Sequence, residues 1–183
     1  MNTLYIDWNF DPLIDMDLTR FSKRVTVIQS EDINPIFLDK LSSCGLRLVL
    51  AESFYSYPGF CGLVHVDGNP TSLGESWESR CKINLVNVPK TLTQWYDILP
   101  ENRVRPNISK TPIGTNFIHY DSVPNTVIED AYLSGWHLFE SGVPHKVINK
   151  SEYHRWSLCF VACPIGEPDG WSTMDVIRRK LKI

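Results

Sequence analysis

The chain has 183 residues, 43% of them hydrophobic and 21% charged, which is long enough to bury one core and excludes a disordered or low-complexity protein. Its formal charge of -3 and sequence pI near 5.9 offer no general attraction for phosphate backbones, so charge does not imply nucleic-acid binding. No apolar run approaches the roughly 20 residues that a membrane-spanning helix needs, and the N-terminus lacks the basic and apolar segments of a signal peptide, so a cytoplasmic location is expected.

In chain order, Val25–Gln29 reads as a short strand. Asn34-Pro35 then opens a helix, with Asn34 as N-cap and Pro35 in its first turn, and Gly45 closes it. Ile36, Phe37, Lys40 and Leu41 fall at helical spacing and predict one sheet-covering face. From Leu46 to about Phe160 the punctuation changes to short β-rich runs separated by Gly, Pro, Asn and Asp, as in a sandwich or barrel. The expected strands are Leu46–Ala51, Gly62–Val66, Cys81–Val88, Gln94–Ile98, Thr115–Tyr120, Thr126–Leu133, Trp136–Glu140, His145–Asn149 and Arg155–Val161. Leu99–Pro112, rich in Pro, Asn and Arg, is expected to be a surface loop of the kind that serves as a lid. Ser172 begins a last helix with Asp175 three residues on, in a variant of the capping box, and Met174, Ile177 and Leu181 share one face. Arg178, Arg179, Lys180 and Lys182 form a solvated face whose cations suit a helix C-terminus. The expected organisation is a single domain over 1–183: a support at 1–45, a core at about 46–161 and a helix at 172–182.

Cys44, Cys61, Cys81, Cys159 and Cys163 are odd in number and have no CxxC spacing, so they read as reduced, mostly buried thiols rather than as a disulfide framework or a zinc ribbon. The sequons at Asn107 and Asn149 carry no meaning in a cytoplasmic protein. Trp95 and Tyr96 are expected to pack in the core rather than to line a pocket.

Among the five histidines, two begin His-x-Asp triplets: His65-Val66-Asp67 and His119-Tyr120-Asp121. Acids are frequent enough to follow a histidine at this offset about once in nine by chance, so the triplet needs support elsewhere. On a strand, residues i and i+2 share a face. The triplet therefore delivers a nitrogen and an oxygen into one space, two parts of a facial triad that leaves coordination positions open. The third ligand has to come from another strand. His145 is the candidate, in Gly142-Val-Pro-His-Lys-Val-Ile-Asn149, with Arg155 ten residues later and Ser157 two beyond that; no other histidine has Arg or Lys at that offset.

This order resembles the 2-oxoglutarate/Fe(II)-dependent oxygenases. The Pro-His-x-x-x-Asn block before Arg155 resembles the aspartyl/asparaginyl β-hydroxylase and bacterial proline hydroxylase branch. The presence of Asp67, where some aspartyl hydroxylases lack a carboxylate ligand, favours the proline-hydroxylase type. The resemblance, over roughly Leu46 to Val161, implies a mainly β, double-stranded β-helix (a cupin-like jelly roll) flanked by an N-terminal and a C-terminal helix. His65 and Asp67 would lie on an early core strand, His145 on the penultimate one, and Arg155 and Ser157 on the last. It implies Fe(II) held by His65, Asp67 and His145, with 2-oxoglutarate and dioxygen on the opposite side. Arg155 would grip the distal carboxylate of 2-oxoglutarate through its planar fork, Ser157 would add a hydroxyl donor, and Asn84 on a neighbouring strand is a further candidate for touching the cosubstrate. The implied activity is hydroxylation of a small-molecule amino acid or of a peptide side chain, with release of succinate and CO2. Spacing favours the first triplet, because 79 residues separate His65 from His145 and only 25 separate His119 from it. The intervening strands need about 5 residues each plus turns, so His119 and Asp121 are read as turn or surface residues.

Two other classes fit the same pattern: a catalytically silent jelly roll that binds a ligand or another protein, and a cupin-like metalloenzyme that does not use 2-oxoglutarate. Arg155 and Ser157 speak against the second. Substrate identity and oligomeric state are not written in the pattern.

Overall fold

The helix opened by Asn34 folds as the local chemistry dictates. In the computed structural model, which describes residues 4–8, 23–67, 79–98, 107–111, 116–120 and 125–183, the Asn34 side chain accepts the Ile36 N–H at 2.9 Å and caps helix α1, Pro35–Ser43. Gly45 follows it at φ +71°, a left-handed conformation that glycine adopts without steric cost. Only Phe37 and Leu41 of the predicted face are buried; Ile36 is 53% exposed and Lys40 is solvated. The stripe facing the sheet is therefore narrower than the sequence pattern suggests. The second helix, α2, spans Met174–Leu181 and buries Met174, Ile177 and Leu181 as expected. Its cap is Thr173, whose Oγ1 accepts the Val176 N–H, rather than Ser172. Ser172 is committed to the sheet, where its carbonyl accepts the Cys81 N–H at 2.8 Å.

Among the described residues, twelve strands precede and separate these helices: β1 Tyr5–Asp7, β2 Val25–Val27, β3 Leu46–Ser56, β4 Val64–Asp67, β5 Cys81–Val86, β6 Thr91–Ile98, β7 Asn107–Lys110, β8 Asn116–Tyr120, β9 Asn125–Tyr132, β10 Gly135–Glu140, β11 His145–Asn149 and β12 Arg155–Pro164. They form two six-stranded antiparallel sheets, in the orders β1-β10-β5-β12-β3-β2 and β7-β8-β4-β11-β6-β9. The eight strands β3–β6 and β9–β12 supply four to each sheet, as in the double Greek key of a jelly roll. The fold is a double-stranded β-helix of the cupin type.

Several boundaries differ from expectation. β1 was not anticipated, since three residues are too few to show a period. β3 continues past Ala51 to Ser56 and β12 runs on to Pro164, because the two pair along their whole length. Asn107–Lys110, expected within a surface loop, is instead an edge strand paired to β8; the rest of that expected loop, residues 99–106 and 112, lies outside the described residues. No described helix is long and apolar enough to cross a membrane.

Period-two alternation decides what each face of the first sheet does. Outward-facing Ile83, Leu138, Leu158 and Phe160 pack under both helices with Phe37, Leu41 and Ile177, forming the main apolar core. Phe37 lies against Trp136 and Phe160 with ring centroids 5.1 and 4.6 Å away. With the main core on the outside of this sheet, the space between the two sheets is shared by polar side chains and by apolar ones such as Phe54, Val86 and Phe139. Trp95 and Tyr96 pack as expected: Trp95 stacks on Tyr5 and donates its indole N–H to the Glu140 carbonyl at 2.9 Å, and Tyr96 joins Val64, Val66, Ile118 and Tyr120.

Candidate metal centre

A cavity of about 530 Å³ opens between the sheets. From the first sheet its wall takes the alternate residues Glu52, Lys82, Asn84, His137, Arg155 and Ser157; from the second it takes His65, Asp67, Thr93 and His145.

His65 and Asp67 stand two apart on β4, and His145 heads β11, which pairs antiparallel to β4 with His145 opposite His65. The rings lie 4.4 Å apart, and one ligand atom from each of His65, Asp67 and His145 falls within 4.8 Å of the others. A cation with bonds of about 2 Å closes that span through small side-chain rotations. Both imidazoles are oriented from behind: Nδ1 of His65 lies 2.9 Å from the Leu63 carbonyl, and Nδ1 of His145 lies 2.8 Å from that of Val143. An Nδ1–H donated to a carbonyl leaves Nε2 as the free lone pair. Burial pushes the His145 pKa down to about 3, with His65 adding to the effect, so the ring is neutral at physiological pH. For Asp67, burial alone would raise the pKa; the Lys82 cation, with smaller contributions from His65 and His145, reverses this and holds the carboxyl well below its usual range. Two imidazoles and one carboxylate suit a divalent first-row metal and leave one side of it open.

The supports of this cluster are mostly invisible in the sequence. The Asp67 N–H donates to the Ser141 carbonyl at 3.2 Å, and the Arg80 guanidinium donates to the Asp67 carbonyl at 2.6 Å. Ahead of His145, Oε1 of buried Glu140 accepts the N–H groups of Arg80 (2.6 Å) and Gly142 (3.0 Å), which fixes the turn into β11. At the far end of β11, the Asn149 amide donates to the carbonyls of Tyr57 (3.1 Å) and Tyr153 (2.9 Å). The asparagine of the Pro-His-x-x-x-Asn block is thus a clip joining β11 to the segments flanking β3 and β12. Asn149 and Ser151 of its sequon are buried.

His119 is corrected: it is neither turn nor surface but a half-buried residue of β8, paired opposite His65, with Nε2 2.8 Å from the Ser109 hydroxyl. It stands outside the three-residue cluster. Asp121 lies outside the described residues. Of the five cysteines, all free, Cys81, Cys159 and Cys163 are buried, Cys44 is intermediate and Cys61 is exposed.

Arg155 and Ser157 share the inward face of β12, and Asn84 lies one strand over on β5, level with Cys159. Arg155 is 6% exposed, its Nε has no hydrogen-bond partner, and no carboxylate among the described residues pairs with it. Burial pushes its pKa down to about 10. Ser56, Asn84 and Thr91 also place a buried, unpartnered polar atom in the same wall. Buried polar groups are rarely left without partners, and this concentration around one cavity is the signature of a site shaped for a polar, anionic guest. Cavity residues that the sequence pattern did not single out are Lys82, Glu52 and His137. The one available signal was that Lys82 and Asn84 occupy alternate positions in an otherwise apolar strand.

His137 carries a prediction of its own. Buried on β10 with Nδ1 3.2 Å from the Gly135 carbonyl, it has its pKa pushed down to about 4 by burial, with the Arg155 cation adding to the effect. The folded pKa is below the unfolded value of about 6.5, so the unfolded chain takes the proton first. The stabilisation is complete above about pH 6.5 and is lost as pH falls towards about 4, at a total cost of about 3 kcal/mol. Urea unfolding at pH 7 and pH 4 is expected to show a smaller stability loss for His137→Leu than for the unaltered chain; equal losses would refute this account.

No protein-family model and no curated protein matches the chain. Solved structures do. Apo HygX from Streptomyces hygroscopicus is 12% identical with a TM-score of 0.45, over 81% of this chain and 74% of that one. Its iron-bound form gives 13% and 0.44, over 81% and 75%. A structure described as oxalate oxidase gives 12% and 0.35, over 87% and 65%. The capsular polysaccharide assembling protein CapF from Staphylococcus aureus gives 12% and 0.35, over 66% of this chain and 26% of that one, so the chain spans about a quarter of CapF's length. The likeness is one of fold.

Proposed function

We propose that this chain is an Fe(II)- and 2-oxoglutarate-dependent dioxygenase that hydroxylates an amino acid or a peptide side chain, with release of succinate and CO2. The observation that carries this reading is the pairing, across one cavity, of the His65–Asp67–His145 cluster with a buried guanidinium that has no carboxylate partner among the described residues. A cluster of ligands alone would suit any metalloprotein of this fold. Arg155 adds a deep, dry anchor for a carboxylate.

When bound, iron would supply the activation of dioxygen and the redox chemistry. His65 and His145 would each offer Nε2 and Asp67 one carboxylate oxygen. Arg155 would bind the distal carboxylate of 2-oxoglutarate through parallel N–H donors, with the Ser157 hydroxyl and the Asn84 side chain beside it. Arg155 is buried, and the lower local dielectric there would strengthen these charge interactions.

The test is stoichiometric Fe(II) binding together with succinate release from 2-oxoglutarate in the absence of a second substrate. One equivalent of metal and slow, metal-dependent succinate formation are expected. Metal binding without turnover of 2-oxoglutarate would indicate a metalloenzyme of another kind, and absence of metal binding a silent jelly roll.

A further inference from the structure

Lys82 is a lysine only 3% exposed, projecting from β5 into the cavity. Its Nζ lies 2.9 Å from Oδ2 of Asp67 and 3.6 Å from Oε2 of Glu52. The other carboxylate oxygen of Asp67, Oδ1, is the one 3.6 Å from Nε2 of His65. The two oxygens of Asp67 thus face different partners, one towards the imidazoles and one towards the ammonium.

We propose that Lys82 is a positioning residue that occupies Oδ2 of Asp67 and so confines a metal held by His65, Asp67 and His145 to the single oxygen Oδ1. The inference rests on the metal-centre reading above. Its consequence is a count of positions. Two histidines and a one-oxygen aspartate leave three places on a six-coordinate ion, enough for a bidentate cosubstrate and dioxygen, whereas a chelating aspartate leaves two.

The lysine is held in place from several sides. Its ammonium lies 5.2 Å from the Phe54 ring centroid and 5.5 Å from that of Trp171, within cation–π range of both. Glu52 supplies a second carboxylate, and withdrawing the ammonium would leave the buried Glu52 and the half-buried Asp67 carboxylates facing one another, which a lowered dielectric makes costly. The nearby cation therefore stays on Oδ2 instead of yielding it to a metal.

The experiment uses the full chain loaded with Mn(II) or Co(II). A crystal structure of the Mn(II) form is expected to show Oδ1 alone on the metal and Oδ2 on Lys82; a two-oxygen Asp67 with Lys82 displaced overturns the proposal. In Lys82→Met, Asp67 is expected to chelate, changing the Co(II) ligand-field spectrum and weakening binding of 2-oxoglutarate to the metal-loaded protein by about tenfold or more, the scale of outer-shell changes. A Lys82→Met spectrum identical to that of the unaltered chain also overturns it. Should Lys82→Met not fold, the Mn(II) structure of the unaltered chain decides alone. Failure of the unaltered chain to bind either metal removes the metal-centre reading itself; binding with a chelating Asp67 removes only the role of Lys82.

Discussion

Replacement of His145 with Ala is expected to abolish stoichiometric Fe(II) or Mn(II) binding, and with it all metal-dependent succinate release. The ring is buried on the first residue of β11, directly opposite His65, and its Nδ1 is engaged by the Val143 carbonyl. Beyond His65 and His145, no imidazole among the described residues belongs to the cluster: His119 is turned to Ser109, and His137 lies across the cavity in the opposite sheet. Losing one of three protein ligands should exceed the about 10–100-fold loss typical of changes to outer-shell partners. Calorimetric metal titration checks it, with circular dichroism to confirm folding. Retained metal affinity with unchanged turnover would sink the assignment of the centre.

Arg155→Met should have two effects of opposite kind. Affinity for 2-oxoglutarate is expected to fall by about 100-fold or more, because truncating one partner of a buried charge pair costs about 2–5 kcal/mol. Arg155→Lys should retain part of the affinity, since an ammonium keeps the charge and loses the planar fork. The ligand-free protein, in contrast, should become more stable in Arg155→Met. The guanidinium is buried with Nε unpartnered, and its lowered pKa reflects the cost of holding that charge away from water. An apolar side chain of similar length removes that cost, and in a chain of this size each kcal/mol released raises the melting temperature by about 2–4 °C. A variant that loses 2-oxoglutarate affinity while its melting temperature rises identifies Arg155 as a residue kept for its ligand. A drop in both would make it a structural ion.

Much of the fold is legible in local pattern. The Asn34 cap of α1, the buried face of α2, the strand His145–Asn149 and the pairing of His65 with Asp67 on one strand face all follow from short-range chemistry, because they depend on residues two to four apart. The misses are informative for the same reason. Extension of the strand beyond Ala51 was hidden because Glu52 and Ser53 look like a loop, yet Glu52 is buried opposite Lys82 and the segment pairs to β12 throughout. Ser172 resembles a cap, and only its carbonyl's bond to β5 passes that role to Thr173.

The histidine triplets mark the boundary most clearly. His65-Val-Asp and His119-Tyr-Asp are locally equivalent, and β4 and β8 even pair so that the two histidines oppose each other. What separates them is that β4, and not β8, is the neighbour of β11. That is a fact of strand order, set by packing of the whole sandwich. By itself the sequence determined which residues share a strand face, where α1 begins and ends, and that His145 and Arg155 each head a strand, since all of these depend on backbone geometry over a few residues. The tertiary structure decided that the core lies outside the first sheet and the polar wall inside it. It also decided that Glu140 clips the turn before His145 and that Lys82, fifteen residues beyond Asp67 in sequence, takes one of its oxygens. Contacts of that kind join side chains across two sheets, and strand periodicity specifies only the face a residue occupies, never its partner on the facing sheet.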